Sequence, residues 1–153
     1  MSINGSNLDQ WHQRPDWRAK EDRSGKGSVK IFTPLERSAV RMAETAWETA
    51  KQSGQISLVE KKDKQFLFSS KLELEQYIAV LLEEQEGICA LTGLEMLHDG
   101  IDGDHELRCS LDRIDSAGHY GPGNLQVVCK FANRWKCASD NEEFKRLIEL
   151  VRA

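Results

Sequence analysis

Apolar residues recur at helical spacing in three parts of this chain. Leu35, Ala39, Met42, Ala43, Ala46, Trp47 and Ala50 form one stripe, which predicts a helix with a single core-facing side. Thr33-Pro-Leu-Glu36 specifies its start: Thr33 can cap, Pro34 suits the first helical position, and Glu36 closes a capping box. Gly54 is its natural stop. Ser70-Lys-Leu-Glu73 is a second capping box, followed by Leu74, Tyr77, Ile78, Leu81 and Leu82 on one face and by Gly87 as terminator. Ser139-Asp-Asn-Glu142 predicts the cap of a last helix, with Phe144, Leu147, Ile148 and Val151 as its buried side.

Two-residue alternation marks the strands. Ile56-Ser-Leu58 and Phe66-Leu-Phe68 flank the charged turn Lys61-Lys-Asp-Lys64 and predict a β-hairpin, its lysines either solvated or touching nucleic acid. Residues 95–108, with His98, Asp99, Asp102, Asp104 and His105, read as an exposed loop. Ser110-Leu-Asp-Arg-Ile-Asp115 predicts a short strand. Ala117-Gly-His-Tyr-Gly-Pro-Gly123 is rich in turn residues, and Asn124-Leu-Gln-Val-Val-Cys129 predicts the return strand. Lys130-Phe-Ala-Asn-Arg-Trp-Lys136 then starts a helix. The fold class expected is α+β. In this β-β-α order Asp112 and Asn133 come from different elements and converge at the open end of the hairpin. One carboxylate and one amide oxygen make a sparse, hard-oxygen site suited to Mg²⁺ or Mn²⁺, with waters and a substrate phosphate completing the shell.

Composition refines this picture. At 153 residues and 39% hydrophobic content the chain fits one domain. It divides into a flexible polar arm (1–32), a support region of helix, hairpin and helix (33–86) and the site region (87–153). The arm carries Trp11 and Trp17 among Arg14, Arg18 and Lys20. These tryptophans either pin the arm to the domain or stack on bases, and the arm could also carry self-association or a protein partner. Net charge is −4, which does not advertise a nucleic-acid binder. Residues 105–137 nevertheless hold five cations against three anions inside an acidic C-terminal half, compatible with phosphate binding or with an ordinary mixed surface. No apolar run approaches the roughly 20 residues of a membrane span, and the start lacks a basic-then-apolar signal. The expectation is a cytoplasmic protein without a membrane partner.

The segment resembles the HNH, or His-Me finger, endonucleases, whose ββα-metal motif has this order of elements. The resemblance covers Gly87 to Lys136. Cys89-Ala-Leu-Thr-Gly93 is similar to the family's lead-in turn, Leu111-Asp-Arg-Ile-Asp115 stands where members usually carry Asp-His, Gly123-Asn124 matches the middle Asn, and Asn133-Arg-Trp-Lys136 matches the final Asn or His followed by Lys. The resemblance implies a metal-dependent endonuclease acting on DNA. Asp112 and Asn133 would be the metal ligands, and Asn124 would hold the loop and the base in place. Arg134 and Lys136, with Lys130 beside them, would face the phosphate backbone. The family's general base is a His where this chain has Arg113, and a guanidinium has no proton acceptor. Arg113 would instead clamp the scissile phosphate, as in those members of the superfamily that also carry Arg there. Water would then be activated by His119, by His105 if its loop folds over the site, by Tyr120, or by the metal alone. The other reading is a non-catalytic nucleic-acid- or protein-binding module on a retired scaffold of the same kind.

The four cysteines pose a separate question. Structural zinc usually takes two Cys-x-x-Cys pairs, and here Thr92 and Ala132 stand where partners of Cys89 and Cys129 would be. Cys109 and Cys137 restore the count to four, at unusual spacing. Buried thiols are the competing expectation.

Overall fold

The computed structural model describes residues 32–52 and 66–153. Helix α1 spans Pro34–Gln52 and begins as its capping residues require: the Glu36 backbone N–H donates to Thr33 Oγ1 at 3.2 Å. Helix α2 spans Lys71–Glu84, and Ser70 Oγ accepts the Glu73 N–H. The Glu73 carboxylate reaches back to the Ser69 N–H at 2.8 Å, one residue earlier than a standard box. Glu86 (φ 55°) and Gly87 (φ 72°) turn the chain left-handed after α2. The stop expected at Gly54, the Ile56–Leu58 strand and its lysine turn lie outside the described residues, as does the arm up to residue 31. Phe66 also forms an isolated parallel bridge with Tyr120, the Leu67 N–H donating to Tyr120 O at 2.9 Å.

The fold is mixed α+β. Among the described residues it has four α-helices and one two-stranded antiparallel sheet. Strand β1 is Cys109–Arg113 and β2 is Leu125–Cys129, in a register that sets Asp112 opposite Gln126 and Ser110 opposite Val128. The return strand runs without a break into helix α3, Lys130–Lys136. Because successive side chains of a strand point to opposite faces, Ser110 and Asp112 share one face with Gln126 and Val128. Helix α3 packs on the hairpin, while α1 touches β1 and α2 touches β2. All five residues of β2 are buried.

Helices α1 and α2 form the main core with Met42, Leu74, Tyr77, Ile78 and Leu82, against Val127 and Cys129 of β2. Each such fully buried aliphatic side chain contributes about 1.5–3 kcal/mol. Two polar side chains of this layer serve the hairpin directly. Gln85 accepts the Val127 N–H and donates to Val127 O, pairing with the outer edge of β2 as a strand would. Buried Tyr77 accepts the Gly123 N–H through its hydroxyl, fixing the loop between the strands.

The 95–108 segment is less open than its composition predicts. Met96 is buried, Leu97 bridges Arg108, and His105–Leu107 form a short 3₁₀ turn. Helix α4, Asn141–Arg152, is capped by Asp140 rather than Ser139; its carboxylate accepts the Glu143 N–H at 2.8 Å. The buried side expected of α4 is also narrower. Phe144 is buried and Ile148 half-buried, while Leu147 and Val151 are exposed, because Phe144 and Ile148 alone reach the core. No described helix is long and apolar enough to cross a membrane.

Candidate functional site

The hairpin and α3 enclose an open cleft of about 310 Å³, lined by Leu111, Asp112, Arg113, Ser116, Tyr120, Asn133, Cys137 and Ala138. Asp112 and Asn133 thus meet on one cleft. Asp112 is buried, and its Oδ2 accepts from Lys136 Nζ at 2.5 Å and from Gln126 Nε2 at 2.8 Å. Asn133 Nδ2 donates to Ser110 Oγ at 2.7 Å and to Leu111 O at 3.2 Å. Those bonds fix both side chains and use one end of each. The other oxygen, Oδ1 in both residues, has no hydrogen bond among the described residues. A carboxylate oxygen and an amide oxygen therefore remain available at one cleft, the donor set a hard divalent cation accepts.

Lys136 overturns an expectation. It does not face a phosphate backbone: it is fully buried. Its ammonium donates to Asp112 Oδ2, to Arg113 O at 2.9 Å and to Ile114 O at 3.3 Å. Three acceptors match its three N–H groups, which is what makes burial of the charge tolerable. The physical reason is helical phase. Lys136 lies four residues after buried Ala132 and three after Asn133, so it shares their inward face. Lys130 and Arg134 fall on the outward face and are exposed, Arg134 pairing with Glu106 at 2.6 Å.

Arg113 lines the cleft and also builds the loop. Its Nη1 donates to Ser116 O and Gly118 O, both at 2.7 Å, and the guanidinium stands 5.3 Å from the Tyr120 ring centroid. Burial pushes the Tyr120 phenol up, and the adjacent Arg113 only partly offsets this. Tyr120 is therefore a donor at neutral pH, poorly suited to base work. Asn124 locks the loop from its other end. Its Oδ1 accepts the Asp115 N–H at 2.8 Å, and its Nδ2 donates to Asp115 O and to His119 O at 3.0 Å. Gly118 is small because of this amide: an added Cβ would come within 2.6 Å of Asn124 Nδ2. His119 is half-buried and is not among the residues lining the cleft. His105 is exposed on its 3₁₀ turn, is not among the residues lining the cleft, and accepts from Arg108 Nε through Nδ1.

The cysteines do not gather as four. Cys89 and Cys129 meet in the core beside Thr92, the Cys129 N–H donating to Cys89 Sγ at 3.2 Å. The bond to Cys89, and then burial, push the Cys129 thiol up. Cys109 lies 3.6 Å from His98 Nδ1, and burial pushes its thiol up to about 11. Cys137 is exposed at the end of α3 and lines the cleft. Among the described residues, no three His, Cys, Asp or Glu side chains group so as to hold a metal.

Sequence reasoning missed Gln126 and Asn141. Gln126 binds Asp112 and exchanges two hydrogen bonds with Asn141, at 3.0 and 3.1 Å, tying α4 to the site. The available signal was one polar residue inside the apolar run Leu125-Gln-Val-Val-Cys129, in register with Asp112. Compared with known proteins, the chain matches no family model, no curated protein and no solved structure.

Proposed function

We propose that the chain is a metal-dependent endonuclease hydrolysing phosphodiester bonds in DNA, on the ββα-metal plan of the HNH enzymes. The observation that carries this reading is the pair of hydrogen-bond-free oxygens, Asp112 Oδ1 and Asn133 Oδ1, on residues of one cleft. Mg²⁺ or Mn²⁺ held there would neutralise charge on the phosphoryl group and on the departing oxygen. The chain's own residues do the rest. Lys136 and Gln126 hold Asp112 by Oδ2, so that Oδ1 is the oxygen presented. Arg113 brings a permanent positive charge to the cleft wall, suited to binding the scissile phosphate, and has no lone pair to take a proton. Asn124 holds the loop that carries His119, the imidazole nearest in sequence to the cleft and our candidate base.

Supercoiled and linear DNA incubated with Mg²⁺ or Mn²⁺ should be nicked or cut, and EDTA should stop it. Asn133→Ala is the cleaner variant, because Asp112→Ala also strands the buried Lys136 ammonium. Loss of cutting in a folded Asn133→Ala protein supports the reading.

A second reading has its own observation. The Lys136 ammonium already neutralises Asp112, and an arginine stands where a base is expected. A non-catalytic DNA-binding module fits those two facts. DNA retention that ignores EDTA, with no cutting under any metal, selects it.

A further inference from the structure

The outward face of α3 carries an aromatic pair that none of the roles above uses. Trp135 is 62% exposed, the largest side chain left open on this helix. It is not loose: Phe131, one turn earlier, meets it edge-to-face with ring centroids 5.3 Å apart. Lys130 and Arg134, also one turn apart, stand exposed on the same side. The inward side of the same seven residues presents Asn133 to the cleft.

We infer that Trp135 is a stacking platform for an unpaired nucleobase, so that this outward face of α3 binds single-stranded rather than duplex DNA. A propped indole with flanking cations has the two parts such binding needs, a flat apolar face and a neighbouring positive charge for the backbone. Glu106 offsets Arg134, but this pair is exposed at both ends and a phosphate displaces it at little cost. Duplex DNA keeps its bases stacked on one another and offers the ring no free face. The inference rests on the nuclease reading for its substrate, but its test does not use cutting.

Binding is measured in EDTA by fluorescence with a short single-stranded oligodeoxynucleotide and with its duplex. The chain has four tryptophans, so the quench lost in Trp135→Phe isolates the signal of this one. The parent protein should prefer the single strand. Trp135→Ala should weaken single-strand binding by about tenfold or more, Trp135→Phe by much less, and neither should change duplex binding. Circular dichroism should be unaltered, because truncating an exposed side chain leaves the core intact. Equal single-strand binding by the parent and Trp135→Ala overturns the inference, as does a parent that prefers duplex. So does a protein–protein association abolished by Trp135→Ala while DNA binding stays the same. Metal-dependent cutting with Trp135→Ala unaffected in binding defeats the platform alone. Loss of single-strand binding in Trp135→Ala, with no cutting by any form, defeats the nuclease alone.

Discussion

Arg134 and Lys136 stand two residues apart on one short helix and have opposite surroundings. Arg134 is more than half exposed and meets a single exposed glutamate, whereas Lys136 is sealed from solvent with an acceptor for each of its protons. The same formal charge is a surface group in one case and an internal tie in the other. Lys136 joins the end of α3 to the end of β1 and aims Asp112. The contrast teaches that a cation in a motif cannot be assigned to a phosphate until the phase of its helix against the hairpin is known.

The largest effect should come from breaking the inner tie. Lys136→Met leaves the Asp112 carboxylate buried without its counter-ion, a change that typically costs about 3–5 kcal/mol. Urea denaturation should show it, against less than about 1 kcal/mol for Arg134→Ala. Equal losses from the two variants would erase the contrast. The double variant Asp112→Leu/Lys136→Met should recover most of the lost stability, since an apolar pair of similar volume often replaces a buried ion pair without loss. Recovery would mean that the pair is kept for the geometry of the cleft rather than for folding.

A smaller effect is expected in the loop. Asn124→Ala deletes three hydrogen bonds to Asp115 and His119, at a cost of about 1–3 kcal/mol, and should raise hydrogen exchange across residues 115–123 before that of β2. Thiol labelling separates exposed from sealed groups without a mutation. Cys137 should react with a maleimide in the native state, and Cys89, Cys109 and Cys129 only after unfolding, because they are buried. The smallest effect concerns Asp99. Burial pushes its carboxyl up, but Arg41 and Ser38 outweigh this and hold it below the ordinary range. Its contribution to stability is therefore present above the unfolded value near 3.9 and is lost as pH falls through the lower folded value. Asp99→Asn should therefore lower stability slightly at neutral pH, flatten that acid limb and leave the stability at low pH nearly unaffected.

Much of the fold was legible because its signals are local. Thr33, Ser70 and the strand–loop–strand run placed α1, α2, β1, β2 and α3 within a residue or two, since caps and alternation act over a few positions. What escaped depends on distant packing. Leu147 and Val151 carry the right period, but whether a period is buried depends on what lies opposite, and only Phe144 and Ile148 reach the core. The cap of α4 moved by one residue because Ser139 and Asp140 both suit it. At the site, the meeting of Asp112 with Asn133 followed from the order of elements. The holding of Asp112 by Lys136 and by Gln126, itself braced by Asn141, did not, because register and helical phase decide it together.

The proposed nuclease site requires Asp112 and Asn133 to hold one divalent ion together, and paramagnetic broadening tests this without relying on turnover. In a Mn²⁺ titration, the side-chain amide signal of Asn133 and the backbone signal of Asp112 should broaden first, recover with EDTA, and stay sharp at Asp112 in Asn133→Ala. Broadening that begins among the exposed acidic residues of α4, with the Asp112 and Asn133 signals untouched at saturating Mn²⁺, would contradict it.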